Sequence, residues 1–337
     1  MAGFFLMKQV AIVILNYNGQ KYLERFLPLV REFSQGCEIW VADNASTDQS
    51  LTWLRQMPDV QVLVIPDNKG YAGGYNYALA HIQADYFVLL NSDVEVTPGW
   101  TSSVVEYMDA HTDVAACQPK IKDFHHRTHF EYAGAAGGYM DFLGYPYSRG
   151  RLFDTCEEDH GQYDATVDVF WATGACLFIR ADAFQESGGF DERFFAHMEE
   201  IDLCWRLLNR GWRIVCCGNS EVYHVGGGTL HKSNPRKTFL NYRNNLIMIY
   251  KNMPAAQTTK VILARLVLDG ISSIRFMMAG AWPDVGAIIR AHFAFYKMIP
   301  KLKKIKKKPQ SRANLYSRSV VWEYFVKGNQ YFSELPH

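Results

Sequence analysis

Four apolar runs set the frame of this chain: residues 10–15 (VAIVIL), 38–42 (EIWVA), 60–65 (VQVLVI) and 86–90 (YFVLL), each followed by a polar loop. The first and last are continuously apolar, as strands covered on both faces must be. Between the first two lies residues 20–33, where Tyr22, Leu23, Phe26, Leu27 and Val30 recur at helical spacing. A glycine-rich loop at 66–74 precedes a second helical stretch at 75–82. This alternation over residues 10–90 predicts a doubly wound α/β sheet. In such a sheet ligands sit at the carboxyl ends of the strands, where strand order reverses. The loops after Leu15, Ala42, Ile65 and Leu90 all fall there.

Further on, helices are expected at 100–110, 181–187 and 200–210, the last two ended by Gly188-Gly189 and Gly211. Short strands are expected at 114–117, 213–216 and 220–223, with an apolar run at 169–179 and a loop-rich stretch at 120–168. From residue 234 the pattern turns helical: 239–251, 261–281 and 285–299, broken by Pro254 and Pro283. Lys260, Arg265, Asp269 and Arg275 make 261–281 a poor membrane span. Residues 297–312 then carry eight basic side chains and no acid.

At 337 residues and 48% hydrophobic, the chain holds one large domain with an appendage, or two domains. A net charge of +1 provides no field to steer it to nucleic acid. Seven cysteines without a CxxC pair read as reduced, mostly buried thiols of a cytosolic protein. Residues 1–7 are apolar but short and run into a strand, which does not read as a signal peptide.

The chemistry-bearing residues cluster at strand ends. Asp93, in Asn91-Ser92-Asp93, can hold a hard cation against a departing diphosphate; alone it could equally cap a turn. His224 ends a later apolar run and precedes Gly226-Gly227-Gly228-Thr229, a loop able to close over a diphosphate; alone it could be a packed histidine. Glu199, Glu200 and Asp202 open a helix, where carboxylates offset the dipole or serve as a general base. Spacing does not decide among the three. Asp43 could accept from a base N–H or form an Asx turn. The Gly70, Gly73 and Gly74 cluster suggests close backbone approach but does not match GxGxxG. His125 to His129 read as a solvated loop.

Assembled, these segments resemble the family-2 glycosyltransferases of the GT-A fold, most closely the bacterial rhamnosyltransferase-type branch that builds surface polysaccharides. The matching text is VAIVILNYNG (10–19), EIWVADNASTD (38–48), PDNKGYAGGYNYAL (66–79), FVLLNSDVEV (87–96), WATGACLFIRADAF (171–184), GGFDERFFAHMEEIDLCWRLLNRGW (188–212) and VYHVGGGTL (222–230). The resemblance implies a GT-A nucleotide-binding α/β/α sandwich over residues 8–233, with a nucleotide-sugar half at 8–96 and an acceptor half at 97–233. A helical extension at 234–312 and a C-terminal segment at 313–337 follow. It implies nucleotide contacts from Asn16, Asn18, Asp43, Asn68, Gly70, Asn76 and Ser92. A divalent metal, Mg or Mn, would sit on Asp93 and His224, with Asn91 replacing the first acid of the family's DxD. The acceptor would meet Trp171, Gly189, Phe190 and Asp191. Glu200 would be the base, with Glu199 and Asp202 as alternatives.

The implied reaction is inverting transfer from a UDP- or dTDP-sugar to a glycan or polyprenyl-linked acceptor, without a covalent sugar–enzyme intermediate. Apolar helices beside an uncompensated lysine run favour an anionic membrane surface, which suggests a cytoplasmic protein at the inner face of the cell membrane. A plain helical subdomain or a homodimer surface is the other reading of that extension. A sugar nucleotidyltransferase would want a basic loop after the first strand, and Asn16-Tyr17-Asn18-Gly19 has neither Lys nor Arg. A non-catalytic nucleotide-sugar binding module would not require Asp93, Glu200 and His224 together.

Overall fold

The first strand in sequence is an inner strand of the sheet. The structure, a computed structural model, describes residues 8–226, 234–306, 308 and 311–336. The first part runs β1 (Val10–Asn16), α1 (Gln20–Phe33), β2 (Glu38–Asp43), α2 (Ser50–Leu54), β3 (Gln61–Val64), α3 (Gly70–Leu79) and β4 (Tyr86–Asn91). β1 pairs in parallel with β2 on one side and β4 on the other, and β2 pairs with β3. The order 3-2-1-4 puts the reversal between β1 and β4. Register sets Asn16 opposite Asp43 and Leu15 opposite Asn91, so the three polar strand ends meet at that point.

The sheet then grows past β4. The next elements are β5 (Val94–Val96), α4 (Ser102–Ala110), β6 (Val114–Asp123), β7 (Gly138–Met140), β8 (Pro146–Ser148), β9 (Arg151–Leu152), β10 (Thr155–Cys156), β11 (Val167–Val169), β12 (Cys176–Arg180), α5 (Ala181–Ser187), α6 (Glu199–Asn209) and β13 (Arg213–His224). β12 lies antiparallel to β4, β6 antiparallel to β12, and β13 parallel to β6. Among the described residues this makes a nine-stranded sheet, with β5 pairing the end of β13, and a separate four-stranded sheet of β7 to β10.

Helices cover both faces, giving the α/β/α sandwich. One face holds Leu23, Leu27 and Val30 of α1 with Val104 and Met108 of α4. The other holds Tyr75 of α3, Phe184 of α5, and Ile201, Trp205 and Leu208 of α6. Each such fully buried side chain contributes about 1.5–3 kcal/mol by leaving water.

Three local expectations change. α3 begins at Gly70, not at 75, so Gly73 and Gly74 lie inside the helix. Their missing side chains let that helix approach closely: a Cβ on Gly74 would stand 2.8 Å from Leu15. The two strands expected at 213–216 and 220–223 are one strand, β13, with a register shift between Cys217 and Glu221. The loop-rich stretch carries the small β7–β10 sheet, whose strands are too short for periodicity to register.

The extension comprises α7 (Pro235–Asn252), α8 (Ala255–Met278), α9 (Trp282–Met298) and α10 (Val320–Phe325). α7 packs on α6 and contributes Leu246, Ile247 and Ile249 to the main core. Beyond Leu302 the described residues lie against α7, α6 and the small sheet's connecting loop. Ile305 donates to the Lys251 carbonyl at 2.8 Å and Arg312 to the Leu208 carbonyl at 2.9 Å. The Val320 N–H reaches Asp141 at 3.1 Å.

Candidate active site

The loops at the β1 and β2 ends build each other. The Asn16 amide donates to Asp43 Oδ1 at 2.9 Å, and the Ser46 N–H donates to Asp43 Oδ2 at 3.0 Å. The Asn18 side chain accepts from the Thr47 N–H at 2.7 Å. Asn44 spans to the next loop, donating to Asn68 Oδ1 and the Gly70 carbonyl and accepting from the Lys69 N–H. Ser92 sits against Gly19, where a Cβ would lie 3.2 Å from its hydroxyl. Asn16, Asn18, Asp43, Asn68, Gly70 and Ser92 are therefore gathered at the strand-order reversal. Asp43 itself is fully buried, and each of its oxygens accepts one bond from the loop. Asn76 is placed differently: it clamps the acceptor segment, accepting from the Phe190 N–H and donating to its carbonyl, both at 2.9 Å.

Asp93 and His224, far apart in sequence, meet. β5 pairs with the end of β13 so that Val94 faces His224, and His224 Nε2 lies 3.2 Å from Asp93 Oδ1. The Asn91 amide is 3.4 Å from the same nitrogen. On the other side of the ring, Nδ1 lies 3.3 Å from Glu131, a buried carboxylate. Burial resists ionisation of Asp93, but the charge and hydrogen bond of His224 outweigh it and hold the carboxyl below its usual range. Burial also opposes charge on His224, and the carboxylates of Asp93 and Glu131 lift it well above the ordinary imidazole range.

Once His224 gives up its proton, the pair could supply two ligands to a divalent cation, although among the described residues no third His, Cys, Asp or Glu completes a metal cluster. Two ligand atoms on adjacent corners of an octahedron, each about 2.1 Å from Mg²⁺, stand about 3.0 Å apart. The Asp93–His224 separation is close to that span. Metal-bound imidazoles commonly have a carboxylate behind the second nitrogen, and Glu131 stands there. The glycine segment after His224 is described only to Gly226; residues 227–229 of the expected diphosphate loop lie outside the described residues.

The acidic helix start is reached through a strained turn. Phe195, His197 and Met198 all have positive φ, at 65°, 70° and 72°, at about 1–3 kcal/mol each for residues with side chains. Bonds from two helices hold the turn. The Tyr71 and Ala72 N–H groups at the start of α3 donate to the Phe195 carbonyl. The Asn244 amide of α7 donates to the carbonyls of Phe194, Ala196 and His197 at 2.8–2.9 Å. Gly70 is needed here, because a Cβ on it would lie 2.5 Å from the Phe195 oxygen.

Three acids leave that turn with different fates. Asp202 is fully buried: Oδ2 accepts from Arg206 at 2.9 Å and Lys251 at 2.8 Å, and Oδ1 accepts from Asn252 at 2.8 Å. Two of its three partners are cations, and the bonds tie α6 to α7. Glu199 is buried; burial, then the neighbouring Glu200 charge, push its carboxyl well above the usual range. Glu200 is only part-buried, and burial raises it to about 7 against the helix-start N–H groups that pull it down. Both glutamates have an Oε2 without a hydrogen-bond partner.

The acceptor-side residues divide as well. Gly189, at φ +67°, gives its carbonyl to Arg206 at 2.6 Å. Phe190 is buried against Tyr71 and Phe184. Burial works against the Asp191 carboxylate, but Arg193 and Lys251 hold it far below its ordinary value. Trp171 turns inward: its ring covers Gly138 and its indole N–H donates to the Tyr139 carbonyl at 2.9 Å. The two halves are joined by Gly174–Ala175. The Tyr71 hydroxyl donates to the Gly174 carbonyl at 2.8 Å, and the Asn91 N–H to the Ala175 carbonyl at 3.0 Å. Tyr71 in turn feels the charges of Glu199 and Glu200.

Asn44, Glu131 and Asn244 escaped the sequence reading. Asn244 carried a signal: Leu240, Asn244 and Met248 repeat every four residues, a buried stripe with an amide in its middle.

Residues 11–186 match glycosyl transferase family 2. The chain is 29% identical over 233 residues to an N-acetylglucosaminyl-diphospho-decaprenol L-rhamnosyltransferase of Mycobacterium tuberculosis, covering 63% of this chain and 75% of that one. It is 23% identical over 217 residues to rhamnosyltransferase WbbL of Escherichia coli, covering 61% and 79%. Among solved structures, the mannosyltransferase PcManGT of Pyrobaculum calidifontis, in complex with GDP-Man and Mn2+, superposes with a TM-score of 0.52 at 13% identity, covering 86% of this chain and 87% of that one. GalNAc-T7 with UDP, GalNAc and Mn2+ superposes with a TM-score of 0.56 at 16% identity, over 73% of this chain and about half (48%) of that one.

Proposed function

Since the chain belongs to glycosyl transferase family 2, we propose that it moves a hexose, rhamnose being the first candidate, from a UDP- or dTDP-sugar to a polyprenyl-linked glycan. The work belongs to surface-polysaccharide synthesis at the inner face of the cell membrane. The observation that carries the reading is the 3.2 Å meeting of Asp93 and His224 beside the strand-order reversal. The M. tuberculosis relative, named for a lipid-linked acceptor and a rhamnosyl donor, supports the choice of substrates.

The transfer is inverting. The acceptor hydroxyl loses its proton to Glu200 as its oxygen attacks C1 of the sugar from the face opposite the diphosphate. The C1–O bond to the diphosphate breaks, and the nucleoside diphosphate leaves with the electron pair. A carboxylate raised to about 7 is near the best proton affinity for this task at neutral pH. Asp93 and His224 would hold a divalent cation, which when bound neutralises the leaving diphosphate. The Glu131 carboxylate, 3.3 Å from Nδ1, places negative charge behind the ring whose Nε2 faces Asp93. Asn244 and the start of α3 hold the turn that aims Glu200. We propose on this ground that the catalytic unit of residues 8–233 depends on α7 from the extension.

The test is a donor panel. Purified protein is incubated with UDP-, dTDP- and GDP-sugars, with a polyprenyl-diphosphate-linked acceptor, and with or without EDTA. Release of nucleoside diphosphate that needs both acceptor and free metal is the expected result. Release of inorganic pyrophosphate from nucleotide triphosphate and sugar phosphate instead would overturn the reading.

A further inference from the structure

Helix α8 is inside out. Its buried stripe carries charge: Arg265 is 3% exposed and Asp269 is 1% exposed. The Arg265 guanidinium lies 3.8 Å above the Tyr145 ring and bonds Asn245, while Asp269 meets His292 of α9 at 3.0 Å. The opposite stripe, at spacings of three and four residues, is Leu263, Val267, Ile271 and Ile274, all exposed, with Val267 at 63%. The neighbouring α9 continues the face with Ile289 and with Phe293 at 72% exposed. In water this arrangement is inverted on both sides, since ion pairs seek the outside and a contiguous apolar face of this kind marks a contact surface.

The charge around the face selects what covers it. Over residues 254–308 the acids are Asp269 and Asp284, and both are buried. Lys260, Arg275, Arg290, Lys297, Lys301 and Lys303 are exposed. A second copy of this chain would bring like charges together, whereas an anionic bilayer supplies both the apolar layer and the counter-charge. Among the described residues no helix is long and apolar enough to cross a membrane, which leaves the α8–α9 hairpin lying on one.

We propose that the outward face of α8 and α9 seats in an anionic lipid surface, with Trp282 at the hairpin tip in the headgroup layer. This deepens the reading of a lipid-linked acceptor and rests on that reading for its purpose. It also links the membrane to the site, because α9 packs on α7, whose Asn244 holds the turn before Glu200. The exposed Lys297, Lys301 and Lys303 then form the rim of this face, and Ile305 and Arg312 fasten the chain after them to α7 and α6.

The experiment uses the full chain with vesicles of phosphatidylglycerol and phosphatidylcholine, without donor or acceptor. The protein is expected to co-sediment, less so at high salt. Brominated lipid should quench part of its tryptophan fluorescence, and Trp282→Phe should remove that part. The triple substitution Val267→Asp, Ile274→Asp, Phe293→Asp should weaken binding at least about tenfold, each charge opposing insertion, with circular dichroism unchanged. Wild-type protein that stays in the supernatant and is not quenched would overturn the proposal, and needs no variant to fold. So would a dimer in ultracentrifugation that the triple substitution converts to monomer, since a second copy would then cover the face. Transfer to the acceptor in detergent tests the functional reading separately.

Discussion

Two groups of acids in this molecule bind protons in opposite ways. At the nucleotide end, Asp93 is buried yet ionised, because His224 stands 3.2 Å away and supplies charge. At the acceptor end, Glu199 and Glu200 are adjacent, lack a cationic partner among their named contacts, and are driven toward the protonated form by burial. Burial is the largest influence at both ends, so depth alone does not set the charge state. The neighbour does. The carboxylate beside a cation stays ionised, and the carboxylates without one hold their protons to higher pH. The nearby Asp202 makes the contrast sharper, since Arg206 and Lys251 stand against it as cations where Glu199 and Glu200 have none among their named contacts.

The comparison breaks most visibly at Glu200. Glu200→Gln should lower turnover roughly 10²–10⁴-fold, the usual contribution of a general base, and leave donor affinity by calorimetry unchanged. If Glu199→Gln is the more damaging change, the proton goes to the buried member of the pair. At the other end, Asp93→Ala should cost about 10²–10³ in turnover, as losing one stabiliser of a leaving anion does. It should also weaken nucleoside-diphosphate binding only when metal is present. Equal loss of binding with and without EDTA would mean that Asp93 holds the loop and not a cation.

These ends were not equally legible in the sequence. Asn16, Asp43 and Asn91 fall at the ends of apolar runs, and a parallel sheet forces such ends together. The meeting of Asp93 with His224 followed from the same logic plus a family resemblance. What the pattern could not convey is that polar loop residues bond one another. Asp43 and Asn68 read as ligands for a nucleotide, and their oxygens also accept from neighbouring backbone and amide groups. Asn76 read the same way but ties down Phe190, a contact 114 residues distant. Long-range side-chain to backbone bonds leave no periodic trace. The extension was legible as helices, but not as a support for the turn at 195–198, because positive φ at Phe195, His197 and Met198 has no signature in residues that normally avoid it.

That turn gives the next test. Asn244→Ala removes three hydrogen bonds to its carbonyls while touching neither donor nor metal residues. A base displaced by about 1 Å costs on the order of 10² in rate. Turnover should fall by that amount, with donor affinity and the metal requirement unchanged. Asn244→Asp, which keeps the shape but not the donors, should be as damaging; recovery in that variant would mean that packing, not the amide, holds the turn.

A smaller effect lies in the pH profile. With Glu200 at about 7, turnover should rise about tenfold per unit below pH 7 and level off above it. Glu199→Gln should leave that inflection in place, because burial and the helix-start N–H groups, not Glu199, set it. A flat profile across this range would remove Glu200 as the group that must be ionised.

The smallest effect is on stability, and its sign follows from the same burial. A carboxyl whose folded affinity for protons exceeds its unfolded one binds more protons in the native state, so stability falls as pH rises. For Glu199 the fall begins near the ordinary glutamate value, 4.5, where the unfolded chain ionises, and continues until the native side chain also ionises. Below that window both states are protonated and the group costs nothing. Gln mimics the protonated form at every pH. Glu199→Gln should therefore melt a few degrees above wild type at pH 8 and level with it at pH 4, by calorimetry. Asp93→Asn should do the opposite, since the native state there favours the ionised carboxylate. If both substitutions shift melting in the same direction at pH 8, the two ends do not differ in the way their neighbours imply.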